Sequence, residues 1–117
     1  MEKIFKQALL FDFYGELLTE HQQQIYEDAV NNDLSLGEIA AEQGISRQGV
    51  HDIMKRCDKI LQEYEDKLHL IERFETAKRD ISRIIELTKE DDNITSEQMS
   101  EKLKSIREIS ENLMEQI

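Results

Sequence analysis

The sequence predicts an all-α protein: a helix-turn-helix head followed by a long helix and a C-terminal helical hairpin. Three observations carry that prediction. The 117 residues include no proline and only four glycines, while Glu, Lys, Leu, Ile and Gln dominate. Ser or Thr stands three residues before Glu or Gln at several places, the signature of a capped helix start. From Val50 to Ile85, apolar residues recur at steps of three and four, with a gap at Lys78, as on one face of a helix.

Taken in order, Lys3 to Tyr14 reads as a first helix. Ile4, Phe5, Ala8, Leu9, Phe11, Phe13 and Tyr14 lie on more than one side of it, so it is expected to bury a wide face. Gly15 is expected to end it in the left-handed region. The aromatics Phe11, Phe13 and Tyr14 can be read as a ligand cage or as core. Core packing is favoured, because the chain has few other large groups to fill an interior. Thr19 with Gln22 forms a capping box that opens a second helix running to about Asn31, with Ile25, Tyr26, Ala29 and Val30 inward. Asn31, Asn32 and Asp33 form a turn.

Ser35 to Lys59, SLGEIAAEQGISRQGVHDIMKRCDK, is the stretch on which the head depends. Ser35 and Glu38 make a second capping box, and Leu34 with Ile39 a hydrophobic staple. Gly44 supplies the positive φ that a tight turn after a short helix requires. Ser46 caps the next helix, and Ile45 with Val50 repeats the staple. Ile39, Ala40, Ile45, Val50 and Ile53 point inward, and small Ala40 allows a close crossing. Such a pair of helices commonly lays its second member in a DNA major groove. It also serves in some proteins as a plain packing unit, with the outer face merely solvated.

The second motif helix has no evident stop between Arg47 and about Lys89. Its stripe runs through Val50, Ile53, Cys57, Ile60, Tyr64, Leu68, Ile71, Phe74, Ile81 and Ile85. Either one long helix leaves the head, or a break falls near Leu68 to Glu72. Glu90, Asp91, Asp92 and Asn93 read as a solvated turn, since the ligand spacing of an EF-hand is missing. Thr95 and Gln98 cap a last helix, with Ile94 and Met99 as staple; Met99, Leu103, Ile106, Ile109 or Ser110, Leu113 and Ile117 line one face. The expected organisation is a single all-α domain over 1–117, with the head at 1–66 and a helical extension at 67–117. So long an apolar stripe should be covered by a hairpin of the last two helices, by a homodimer, or by both.

Hydrophobic residues make up 38% of the chain and charged residues 35%, which suits long amphipathic helices. The formal net charge is −11, against a generic nucleic-acid binder. Residues 1–34 carry seven acids and two bases. Residues 35–59 carry four of each and are neutral, the least acidic part of the chain. The single cysteine, Cys57, lies on the inward spacing and reads as a packing thiol in a reducing, cytoplasmic setting. No apolar run approaches the ~18 residues that span a membrane, so membrane insertion is not expected.

No glycine-rich phosphate loop, cysteine pair or histidine cluster suggests catalysis, a metal or a cofactor. His21, His51 and His69 stand in separate segments. The candidate DNA-contacting surface is the outward side of the second motif helix: Arg47, Gln48, His51, Asp52, Lys55, Arg56 and Lys59. Arg47 and Gln48 are the types that reach guanine and adenine edges, and the later bases suit phosphates. Asp52 would accept from a cytosine amine or pair with a neighbour such as Arg56. Gly49, costly inside a helix, is expected to mark the close approach of another backbone.

The motif from Leu36 to Lys59 resembles region 4 of the primary bacterial sigma factors, which reads the −35 promoter element. Leu36, Glu38, Glu42, Gly44, Arg47 and Ile53 agree; Ile39, Ile45, Ser46 and Val50 are similar. Leu17 to Gln22, LLTEHQ, resembles the start of the preceding helix there. Over LLFDFYGELLTEHQQQIYE at Leu9 to Glu27, and over Ser35 to Asp52, the chain resembles more closely the YlxM-type family of small bacterial proteins. The sigma resemblance implies DNA contact by Arg47. Gln48, His51 and Asp52 stand where sigma factors usually carry glutamate, arginine and glutamine. The YlxM resemblance implies a helix-turn-helix regulator whose genes lie beside those of the signal recognition particle GTPase and its receptor. Two functions are therefore expected of the fold: a DNA-binding regulator, or an interaction module docking a component of the signal recognition particle.

Overall fold

The structure, a computed structural model, describes residues 2–116. Six helices follow one another: α1 (Lys3–Tyr14), α2 (Glu20–Val30), α3 (Leu36–Gln43), α4 (Arg47–Leu68), α5 (Leu70–Leu87) and α6 (Ser96–Gln116). A 3-10 turn, Gly15–Leu17, joins the first two, and no strand occurs among the described residues. By contacts the chain divides into two units, Met1–Ile71 and Glu72–Ile117.

The first unit is the helix-turn-helix head, and α4 is its spine. One side of its core gathers Leu10 and Tyr14 of α1, Leu18, Tyr26 of α2, Cys57 and Leu61 of α4, and Ile71. The other gathers Ile25, Ile39, Ala40 and Val50. Ile53 and Met54 of α4 pack against both groups and join them. Phe11, Phe13 and Tyr14 of α1 pack in the core, as expected, while Phe5 is exposed: Phe11 stacks on Tyr26 at 5.6 Å between ring centroids, and Tyr14 on Tyr64 at 6.1 Å.

The helix starts follow their caps. Thr19 and Ser35 each accept from the N–H three residues on, while Gln22 and Glu38 reach back to the cap's own N–H. Thr95 and Gln98 do the same at the start of α6, at 3.1 and 3.0 Å. Gly44 takes φ 67°, the left-handed conformation that the turn between α3 and α4 demands. Asp33, before α3, has φ 56°, which a short polar residue tolerates better than most.

Gly15 corrects an expectation. It is right-handed, with φ −55° and ψ −34°, and continues from α1 into the 3-10 turn. Its lack of a side chain serves packing: a Cβ there would lie 2.8 Å from the ring of Phe11. The ring that stacks on Tyr26 needs that space, so a tertiary contact selects the glycine.

The helix interruption falls at His69, which is left-handed at φ 55°, and α4 and α5 are separate helices. Starting a new helix leaves its first N–H groups without intrahelical acceptors. Here the Leu70 N–H donates to the Tyr14 hydroxyl at 3.2 Å, and the Ile71 N–H to the Glu65 carboxylate at 3.0 Å. Tyr14 itself donates to the Glu65 carboxylate. A carboxylate at a helix N-terminus also meets the favourable end of the helix dipole.

The second unit holds the rest of α5 and α6, joined by a loop over 88–95. Ile109 is buried, while Ile81, Ile85, Met99, Leu103 and Met114 are all between 48 and 75% exposed. Ile117, expected to extend the stripe of α6, lies outside the described residues. The acidic loop is a turn in which Asp91 accepts from the Asn93 N–H at 3.1 Å.

Candidate nucleic-acid interface

The geometry of the motif begins at its caps. The Ile45 N–H closes the turn onto the Ala40 carbonyl at 3.1 Å, and Ser46 Oγ accepts from the Gly49 N–H at 2.9 Å. Gly49 marks no approach of a foreign backbone, contrary to expectation. A Cβ there would stand 3.2 Å from the Ser46 hydroxyl, so the glycine makes room for the cap that starts α4. With α3 crossing α4 through buried Ile39, Ala40 and Val50, the front of α4 is held on a packed base.

Arg47, Gln48, His51, Asp52, Lys55, Arg56 and Lys59 are all exposed. Gln48, Asp52, Lys55 and Lys59 fall at steps of four, three and four, so they form one stripe along the helix. Two details differ from the sequence reading. Asp52 accepts from Gln48 Nε2 at 2.9 Å and lies 3.9 Å from His51 Nδ1, with no bond to Arg56 among the described residues. Arg47 folds back over α3: a Cβ added to Gly37 would lie 2.8 Å from its Nη2. Both arrangements involve exposed side chains that a ligand could displace.

Asp58, counted with the motif's acids, is not on this front. Its carboxylate accepts from the Tyr26 hydroxyl at 2.6 Å and from Gln7 Nε2 at 3.0 Å, tying α4 to α2 and α1. Burial, and then the bond to Asp58, raise the Tyr26 hydroxyl well above its ordinary value. Burial also pushes the Cys57 thiol up to about 11, with Asp58 adding to the rise and Arg56 opposing it. That thiol is fully buried, a packing group as the spacing implied.

The head's bases are segregated. Residues 1–71 hold seven: Lys3, Lys6, Arg47, Lys55, Arg56, Lys59 and Lys67. All but Lys67 stand in the first two turns of α1 or the first four of α4. Lys3 and Lys6, distant in sequence from the motif, share a groove with Lys55 and Lys59. One local sign was available in the sequence: the first turn of α1 carries lysine and no acid, against the helix dipole. Among the described residues, no three or more His, Cys, Asp or Glu side chains gather as a metal would need. No helix there is long and apolar enough to cross a membrane.

Comparison with known proteins agrees with this architecture. A family described as "Putative helix-turn-helix protein, YlxM / p13 like" matches residues 1–106. A UPF0122 protein of Acetivibrio thermocellus is 42% identical over 116 residues, covering 98% of this chain and 97% of that one. UPF0122 proteins of Bacillus thuringiensis and Bacillus mycoides are each 38% identical over 109 residues, 93% of this chain and 98% of theirs.

Proposed function

Because the chain belongs to the YlxM/p13-like helix-turn-helix family, we propose that it is a DNA-binding regulatory protein that reads duplex DNA with the front of α4. The observation that supports this most is the uncovered stripe from Arg47 to Lys59 on a capped and packed motif, in which an acidic protein concentrates its head's positive charge. In this reading α4 enters the major groove from its N-terminal end. Arg47 leaves Gly37 to meet a guanine edge, and Gln48 exchanges Asp52 for an adenine. Asp52, released from Gln48, is positioned to accept from a cytosine amine. Lys55, Arg56 and Lys59 contact phosphates. No catalytic step, cofactor or metal is part of this function, and its setting is the reducing cytoplasm.

The protein acts as a twofold dimer in this proposal, with the exposed Ile81, Ile85, Met99, Leu103 and Met114 covered by a second copy. A second reading keeps the fold and replaces DNA with a basic protein partner from the signal recognition particle system. The net charge of −11 favours it. Selection from a random duplex pool at low salt separates the two. Enrichment of a shared site, lost in Arg47→Ala, supports DNA reading. Absence of enrichment, together with salt-sensitive co-purification of particle components, supports docking.

A further inference from the structure

Four lysines converge on one groove of the head. Between α1 and α4 runs a depression of about 510 Å³, lined by Lys3, Lys6, Gln7 and Leu10 on one wall and Lys55, Asp58, Lys59 and Gln62 on the other. The lysines are exposed, while Leu10 at 4% exposure forms an apolar floor along which lysine stems can lie. Among the described residues, none of the four ammonium groups has a carboxylate within 4 Å. The one acid in the lining, Asp58, is already committed to Tyr26 and Gln7. Glu2 precedes α1 and makes no side-chain capping bond. The groove thus carries a local charge of about +3 on a chain of net −11.

Ordinary helix design would place acids, not Lys3 and Lys6, at the start of α1, because the dipole there disfavours cations. Folding alone does not require these two lysines, since among the described residues neither side chain is buried or bonded. Their wall faces Lys55 and Lys59, which belong to the same stripe of α4 as Gln48 and Asp52. Lys59 lies twelve residues beyond Arg47, about 18 Å along the helix at 1.5 Å per residue. A helix whose N-terminus sits in a major groove about 12 Å wide reaches the flanking phosphates over such a length.

We propose that the α1–α4 groove is a binding site for the phosphodiester backbone of duplex DNA. Lys3 and Lys6 close over the strand that Lys55 and Lys59 approach from below. The proposal rests on α4 reading DNA and adds a sequence-independent clamp from α1 that the motif alone lacks. It assigns affinity to the groove and discrimination to Arg47 and Gln48.

The test uses the full chain and its Lys3→Gln/Lys6→Gln variant, on a selected duplex and on a random duplex from 50 to 200 mM salt. Each phosphate neutralised contributes about 0.9 to the slope of log affinity against log salt. The double variant should lose affinity for both duplexes equally, and its slope should be shallower by about 1.8. Wild type should therefore weaken about 12-fold more than the variant over that salt range. Arg47→Ala should instead erase the preference for the selected duplex while keeping most of the slope. An unchanged slope in the double variant overturns the groove while leaving DNA reading by α4 intact. No binding of either duplex by wild type removes both. Adenosine triphosphate titrated as a free phosphate donor should shift the amide resonances of α1 only weakly. Tight, saturable binding with no effect of duplex would overturn the backbone assignment.

Discussion

Replacing Tyr14 by phenylalanine isolates one hydroxyl on which the start of α5 depends. The ring remains 1% exposed and can still stack on Tyr64, so packing is retained. Two bonds are lost: donation to the Glu65 carboxylate and acceptance from the Leu70 N–H. A hydrogen bond to a charged group is worth about 1.5–3 kcal/mol net. The bond from the Leu70 N–H joins two neutral groups at a part-buried position and is the longer of the two, so its loss adds less. The expected cost is about 2 kcal/mol, read as a lower urea midpoint for the head with an unchanged m-value. Glu65→Gln keeps an acceptor and should cost about half as much. The double variant should show a coupling of about 1 kcal/mol, because the two groups bond each other. Amide exchange gives a local readout: Leu70 and Ile71 should exchange about 30-fold faster in Tyr14→Phe if opening there costs about 2 kcal/mol less. A loss below about 0.5 kcal/mol with unaltered exchange at those amides would refute the role given to the hydroxyl.

Three further outcomes follow from single residues. Gly44→Ala should destabilise the head by about 1–2 kcal/mol in thermal melts, because the penalty is purely conformational: φ is 67° and nothing lies within 4 Å of a new Cβ. Gly44→Asn should recover part of that loss. Gly37→Ala should raise stability by about 0.5 kcal/mol, the helix gain outweighing the movement of an exposed guanidinium; a fall would show Arg47 to be pinned there. Cys57 should resist alkylation at pH 8 in the folded chain and react on unfolding. Its thiol titrates near 9 when unfolded and near 11 when folded, so the folded state holds its proton longer. The associated stability is fully present below pH 9 and is lost as pH rises towards 11, a slope that Cys57→Ala should flatten in urea melts repeated across that range.

What the sequence disclosed, and what it withheld, divides by the range of the interaction. The capping pairs Thr19 with Gln22, Ser35 with Glu38 and Thr95 with Gln98 operate over three residues, so their identity alone reveals them. Gly44 and the inward stripe of α4 are equally local. Gly15 was misread because its selection comes from the Phe11 ring and the stack on Tyr26, not from its own φ. The interruption at His69 could be confined to a few residues but not fixed, since the acceptor of the Leu70 N–H, Tyr14, is 56 residues from it. The outward face of α4 was legible from helical spacing. The fold-back of Arg47 onto Gly37 and the meeting of Lys3 and Lys6 with α4 required three dimensions.

The left-handed residue at position 69 also resets rotational phase. In one uninterrupted rod, an inserted residue would turn everything beyond it by about 100° and carry the later apolar residues off their face. With α4 closed by His69 and α5 opening on Tyr14 and Glu65, the backbone phase of the first turn of α5 is set by two bonds within the head and not by continuation of α4. A residue added or lost between Glu65 and Leu70 would draw those N–H groups off their acceptors, so the joint fixes the length of α4 from inside the head.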